Sequence, residues 1–339
     1  MLISLQALRA VAAWTVVMHH VMQIFFDFKG EGFWGRLFIE KGAVGVDLFF
    51  VISGVVIYLS TRKTDVSAGS FLANRVMRIV PAYWFYTVLT ALLLVQAPSL
   101  LPGQAFEFNH FVQSLFFLPA EHPAGFGLYP TLAVGWTLNY EMLFYLCLAL
   151  LLGLPVRQRL LALATVLGLM SQVLAPAGLI SAFYANPIVF EFLLGVAIGM
   201  AYRRGWIGQG VRGPLVVLLG AMAALYHFDS SLRLLHWGLP SAAIVAACLA
   251  LEPYFSGIRP LKVLGDWSYS VYLLHGLVLS AGFYLCNRFG LPATPVILGC
   301  LLVILLAAWL SYQWLEKRLY RAMRARLEPA VTARQALLS

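Results

Sequence analysis

The sequence predicts an all-α, polytopic membrane protein with about ten transmembrane helices and both termini in the cytoplasm. Three observations carry that expectation. Of the 339 residues, 61% are hydrophobic and only 11% charged, with a mean hydropathy of +0.84. A soluble domain carries about 25% charged residues, and no single core could hide this much apolar surface, which excludes a soluble globular protein. Apolar runs of about 20 residues, enough to cross a hydrocarbon layer of about 30 Å, recur along the whole chain. The basic residues gather in alternate connections between those runs. Aromatic residues, at 14%, suit helix ends anchored at membrane interfaces by Trp and Tyr.

The runs fall at about 5–28, 41–60, 79–97, 133–154, 159–175, 182–202, 211–226, 235–252, 267–286 and 293–315. The first starts with Arg9 ahead of an apolar stretch, as a signal peptide does. It lacks a small-residue cleavage site and further spans follow, so it reads as an uncleaved helix. The third opens on "NRVMRIVPAYW", where Pro81, Tyr83 and Trp84 fix a helix at an interface. The longest connection, 98–132, is rich in Pro, Gly and aromatics, and its short apolar stretch "FVQSLFFLPA" reads as re-entrant or interfacial. There is no internal repeat and no separate soluble domain. Residues 1–318 are expected to form one integral-membrane domain, and 319–339 a short basic cytoplasmic tail.

A cytoplasmic N-terminus places Arg9, Arg62, Lys63, Arg75, Arg78, Arg157, Arg159, Arg203, Arg204, Arg212, Arg259, Lys262 and every basic residue after 315 inside. Only Lys29, Arg36, Lys41, Arg233 and Arg288 of the 23 Lys and Arg residues are left outside. That bias is the positive-inside pattern. The net charge of +9 then reflects basic loops facing anionic membrane lipids and calls for no nucleic acid. Cys147, Cys248, Cys286 and Cys300 sit in or beside apolar runs with no metal-ligand spacing and read as packing residues. Cys286 and Cys300 are the one pair placed to meet as a disulfide.

An ionisable side chain near the bilayer centre costs about 2.5–3.5 kcal/mol even on a lenient scale, so each one points to function. The candidates are His20, Asp47, Glu141, Glu191 and His275. Counted along their spans, the first four lie about 9–14 Å below the outer surface, with His275 nearer the midplane. A polar network that only glues helices together is the competing explanation. For Asp47, pairing or snorkelling weighs as much as chemistry. His19, His110, His122, His227 and His236 rank below these, the last four because loops and span ends let water satisfy them.

On an ideal helix Arg9 and His20 stand about 20° apart in azimuth and about 16 Å apart along the axis, a polar seam down one face. Arg75 and Arg78, three residues apart, share a face at the same cytoplasmic mouth as Arg9. Three guanidiniums there suit an anionic ligand such as phosphate, whose oxygens they meet as forks. Ordinary positive-inside topology explains a lone Arg-x-x-Arg equally well.

Taken in order, these motifs resemble the integral-membrane acyltransferase-3 family. They are Arg9 with His20, "VGVDLFFVISGVVIYLS" (44–60), Arg75-x-x-Arg78, "WTLNYEMLFY" (136–145), "NPIVFEFLLG" (186–195) and "LGDWSYSVYLLHG" (264–276). Several look similar to bacterial exopolysaccharide and O-antigen O-acetyltransferases. The resemblance implies ten helices in a bacterial inner membrane and transfer of an acyl group, acetyl foremost, from cytoplasmic acyl-CoA to a sugar hydroxyl. The acceptor would be a polysaccharide or a lipid-linked sugar. By position, His20 matches the family's essential histidine and Arg9 its partner. Arg75 and Arg78 match the pair that engages the donor, and Glu141 matches an important acidic residue. Some members carry a fused SGNH-type domain; here only 319–339 follow, so a periplasmic partner is an open expectation.

The residues support a mechanism of that kind. Acyl-CoA is a polyanion that cannot cross the bilayer, so it needs basic groups at the mouth and a base deeper in. His20 is suited to deprotonate the sugar hydroxyl. A carboxylate on its other ring nitrogen would fix the tautomer, with Glu141 the first choice and Asp47 the second; Glu191 and His275 would bind substrate or support the network. Direct attack on the thioester and a transient acyl-imidazole both remain open. The alternative is a proton-coupled secondary transporter or polysaccharide exporter, which the lack of repeats and paired broken helices disfavours. No metal is expected, since no two histidines share a helix face with a carboxylate or cysteine at ligand spacing.

Overall fold

The opening run folds as α1 (Ile3–Phe26) in a computed structural model that describes residues 2–61, 67–208, 210–255 and 257–326. Leu2 gives α1 no side-chain cap, so its first N–H groups are met from far along the chain. The Glu252 carboxylate accepts from the Ile3 and Ser4 amides at 2.7 and 2.8 Å. An anion there satisfies orphan donors and complements the helix dipole. α1 ends where Asp27 turns left-handed at φ 49° and the Phe28 amide reaches back to Met22 O at 3.0 Å, a common helix stop.

Short α2 (Gly32–Lys41) meets α3 (Val44–Ser60) at a bend of 47°. α4 (Ala68–Gln96) starts under Ser67, whose Oγ accepts from the Ser70 amide at 3.2 Å, and carries Pro81 inside. The long connection that follows holds α5 (Phe108–Leu115). α6 (Trp136–Leu150) and α7 (Val156–Leu169) come next, and a π-helical turn, Met170–Leu174, prolongs α7. Two 3-10 turns lead into α8 (Glu191–Arg203). After α9 (Arg212–His227), a π turn, Leu234–Gly238, opens α10 (Leu239–Ala250). Short α11 (Glu252–Phe255) precedes α12 (Arg259–Phe289), and α13 (Ala293–Ser311) runs on through a π segment, Tyr312–Arg318.

The described residues are thus all-helical, with no strand. Four stretches are long and apolar enough to cross a membrane: Ala68–Gln96, Ala133–Leu150, Arg259–Phe289 and Ala293–Arg326. The bent α2–α3 pair makes a fifth. Every apolar run read from the sequence falls on helical structure. Arg62, Lys63 and the tail beyond residue 326 lie outside the described residues.

α1 packs along α12 and α3, and α3 along α8. Small residues let these backbones approach, as close helix crossings in membranes require. A Cβ on Gly265 would lie 2.1 Å from Gln6 O, and one on Gly195 would lie 2.0 Å from Val51 O. The Gln6 amide also bonds the Asp266 carboxylate, locking α1 against α12. α1 is therefore held on both sides, which fixes where its polar face points.

Two expectations change here, and the reading of the cysteines as packing residues does not. The 182–202 run is not one helix: Pro187 has no amide to donate, and Asn186 Oδ1 caps a 3-10 turn by accepting from the Ile188 amide at 3.0 Å. Glu191 consequently opens α8 rather than sitting midway along a span. His110 and His122 are buried rather than water-satisfied. His110 bonds Tyr129 O at 2.9 Å and Thr131 Oγ1 at 3.2 Å, and His122 stacks on Phe126. The four cysteines are free thiols, Cys286 and Cys300 among them.

Candidate active site

Two cavities meet near the middle of α1. The inner one, about 150 Å³, is lined by Arg9, Arg75, Arg78, Glu141 and Tyr145 among apolar and aromatic side chains. Arg75 lies over the rings of Phe71 and Tyr145 and donates from Nη2 to Ser60 Oγ at 2.8 Å. Glu141 Oε1 accepts from Ser53 Oγ at 3.2 Å and from the Tyr145 hydroxyl. The Nε of Arg9 is buried and has no hydrogen-bond partner.

Sequence reasoning missed one member of this group. Glu316, in the π segment after α13, accepts from Ser270 Oγ at 2.6 Å and acts electrostatically on Arg9 and Arg78. Its signal was a lone acid in the basic stretch "YQWLEKRLYR". The chamber holds more guanidiniums than carboxylates, and an anion that guanidinium forks can grip, such as a phosphate, suits it.

The outer cavity, about 690 Å³, is lined by His19, His20, Arg233, Tyr129, Trp136 and Gln104 with others. His20 Nδ1 lies 2.9 Å from Val16 O and 3.2 Å from His275 Nε2. His275 Nδ1 in turn lies 3.2 Å from Val271 O. A carbonyl only accepts, so each Nδ1 carries its hydrogen; these tautomers are assigned from the hydrogen-bond pattern. His275 Nε2 is then a lone pair facing His20 Nδ1–H, and His20 Nε2 is left unprotonated.

Val46 and Tyr272 line both cavities. The Tyr272 hydroxyl donates to Val134 O at 2.9 Å and accepts from Thr137 Oγ1 at 3.1 Å, which pins the ring as a partition. α1 therefore presents Arg9 to one chamber and His20 to the other.

The remaining carboxylates stand apart from His20. Asp47 is fully buried and paired with Arg233 in a two-pronged contact, Nε–Oδ1 at 3.0 Å and Nη2–Oδ2 at 2.8 Å. Arg233 also lies 5.3 Å from the Trp237 ring. Glu191 is buried beside Asp47. Its two oxygens have no hydrogen-bond partner. Neither Glu141 nor Asp47 bonds His20, so the expected carboxylate–histidine pair is replaced by a histidine–histidine pair. The single polar layer resolves into three groups: Glu141 with the arginines, Asp47 and Glu191 with Arg233, and His20 with His275. Arg233 was legible only as an outside basic residue; a buried Asp47 in need of a counter-charge was the hint. His19 bonds Phe38 O through Nδ1 at 2.9 Å, holding α2 to α1.

Compared with known proteins, residues 2–312 match the acyltransferase-3 family, described as an acyltransferase domain. The exopolysaccharide production protein ExoZ of Rhizobium meliloti is 34% identical over 296 residues, 84% of this chain and 92% of that protein. Acyltransferase MdmB of Streptomyces mycarofaciens is 26% identical over 82% of this chain and 79% of its own length. A putative peptidoglycan O-acetyltransferase, YrhL of Bacillus subtilis, is 26% identical over 93% of this chain and 54% of its own. No solved structure matches. With a family match along nearly its whole length, the chain belongs to the acyltransferase-3 family and is an acyltransferase that moves groups other than aminoacyl groups.

Proposed function

We propose that this chain is a ten-span O-acyltransferase of the bacterial inner membrane, with both termini cytoplasmic. It passes an acyl group, acetyl foremost, from cytoplasmic acyl-CoA to a hydroxyl of an exported polysaccharide or its lipid-linked precursor. The observation that carries this reading is the division of α1 between two cavities, with Arg9 in an arginine-rich chamber and His20 in a larger aromatic one. The names of two relatives, an exopolysaccharide production protein and a putative peptidoglycan O-acetyltransferase, support a saccharide acceptor.

In this mechanism the CoA phosphates rest on Arg9, Arg75 and Arg78. The pantetheine arm displaces Tyr272 or slides past it and brings the thioester to His20. The sugar enters from the outer cavity, where Trp136 and Tyr129 offer flat apolar faces. His20 Nε2 takes the hydroxyl proton as the oxygen attacks the thioester carbon. The tetrahedral intermediate then expels sulfur, and the same Nε2 proton goes to the thiolate, so His20 returns to its starting state. An acyl-His20 species trapped on the enzyme would replace direct attack with a two-step route.

Membranes matched for wild-type protein or His20→Ala receive labelled acetyl-CoA and the host's surface polysaccharide. Base-labile label in the polysaccharide with wild type and none with the variant is the expected result. Equal label in both removes His20 from the chemistry. Substrate movement with no acyl-CoA requirement would favour a transporter.

A further inference from the structure

The proposed chemistry leaves the histidine beside His20 without a role. His275 is fully buried on α12, and its ring lies against the His20 ring at a centroid distance of 4.9 Å. We propose that His275 is a positioning residue for acyl transfer: a neutral imidazole that holds His20 in the tautomer whose Nε2 faces the acceptor hydroxyl. This rests on the reading of His20 as the base.

The hydrogen bonds run in one direction. Val271 O accepts from His275 Nδ1–H, and the His20 Nδ1–H is shared between Val16 O at 2.9 Å and His275 Nε2 at 3.2 Å. Reversing the chain would set the lone pair of His275 Nδ1 against Val271 O, and that of His20 Nδ1 against Val16 O. Each of those contacts would set two lone pairs face to face, which is repulsive. Both carbonyls belong to residues four positions earlier on the same helices. The backbones of α1 and α12 thus set the tautomer, and the Gln6–Asp266 bond and the close Gly265 contact hold those two helices in register.

A histidine differs from a carboxylate in this position. A carboxylate would place a full negative charge beside His20 in an apolar interior, which carries a large desolvation cost without a paired cation. His275 orients the ring without adding charge to the resting site. When His20 Nε2 takes the sugar proton, the Nδ1–H bond to His275 Nε2 strengthens because its donor is now cationic. The proton on Nδ1 stays on His20, the one on Nε2 leaves with the thiol, and His275 ends as it began. The other groups facing the pair are His19 and Tyr272. Neither supplies a competing acceptor for His20 Nδ1: His19 bonds Phe38 O, and the Tyr272 hydroxyl is held by Val134 and Thr137.

The test has two arms. In wild-type protein labelled with ring-15N histidine, and assigned by comparison with His20→Gln, the His20 signal should show Nδ1 protonated and Nε2 bare. Protonated Nε2 in the neutral ring overturns the proposal, and this arm needs no variant at His275 to fold. In the second arm, His275→Ala should lower kcat about 10- to 100-fold, the range typical of lost orienting partners, with KM for acetyl-CoA within twofold. His275→Gln, whose side-chain carbonyl can accept from His20 Nδ1–H, should recover most of the lost rate. Equal loss in Ala and Gln variants, or a loss carried by KM, overturns it. Full activity of His20→Ala would instead defeat the base assignment while leaving the tautomer measurement standing.

Discussion

Asp47 and Arg233 are joined by two parallel hydrogen bonds at 3.0 and 2.8 Å, across 186 residues of sequence. The pair ties α3 to the π turn ahead of α10, at the wall of the outer cavity. Asp47 is wholly buried while Arg233 keeps partial exposure. Removing one partner leaves an uncompensated charge in an apolar wall. Arg233→Met should cost about 3 kcal/mol or more of stability, read as a lower unfolding midpoint in detergent. Asp47→Asn with Arg233→Met should recover part of that loss, since the stranded charge is then gone.

Glu191 sits beside that pair as a second carboxylate for one guanidinium. Glu191→Gln keeps the shape and removes an ionisable group from a buried site, so the unfolding midpoint should hold or rise. A fall as large as that of Arg233→Met would contradict this account of the cluster.

In the inner cavity, Arg75→Ala and Arg78→Ala should each raise KM for acetyl-CoA about 10- to 100-fold, the equivalent of one charged hydrogen bond. Glu141 bonds Ser53 and Tyr145 rather than His20. Glu141→Gln should therefore act through donor KM and leave a measurable kcat, whereas His20→Ala should abolish kcat. Steady-state kinetics with varied donor separates the two.

The α3–α8 crossing depends on Gly54 and Gly195, where an added Cβ would sit 2.2 Å from Phe192 O and 2.0 Å from Val51 O. Neither obstacle is a flexible side chain. Gly195→Ala should cost about 1–3 kcal/mol from overpacking, and Gly195→Leu should reduce the yield of monodisperse protein sharply. Gly299, with open space around it, is the control: Gly299→Ala should be neutral.

The connection between α4 and α6 should loosen in acid. Burial, with His110 as its neighbour, lowers the His122 pKa from its ordinary 6.5 to about 4. Between those values the unfolded segment binds a proton that the folded one refuses, so stability falls as pH drops through that window. Limited proteolysis of the connection should accelerate between pH 6.5 and about 4, and His122→Phe should flatten the dependence.

The helical architecture was legible because apolar runs and basic loops report directly on membrane insertion. The inner-cavity arginines were legible too, since Arg75 and Arg78 are near in sequence and Arg9 enters from the same side. Helix period also placed Arg9 and His20 at opposite ends of one face, and in the structure Arg9 lines one cavity and His20 the other. What sequence could not supply was azimuth between helices. Depth alone put Glu141, Asp47 and His20 in one layer, but their helices turn them toward different neighbours. His275 and Glu316 pair with residues more than 40 positions away, and no local pattern announces such contacts. The break before Glu191 was signalled by Asn186 and Pro187, and the apolar character of the run hid it.

Sealed inverted vesicles, with polysaccharide enclosed and labelled acetyl-CoA added outside, test the central claim most directly. That claim is one α1 helix serving a cytoplasmic donor and an opposite-side acceptor through His20. Base-labile label on the enclosed polysaccharide with wild-type protein, and none with His20→Ala, is the predicted result. Label that appears only when donor and acceptor share a compartment, or that persists undiminished in His20→Ala, would contradict it.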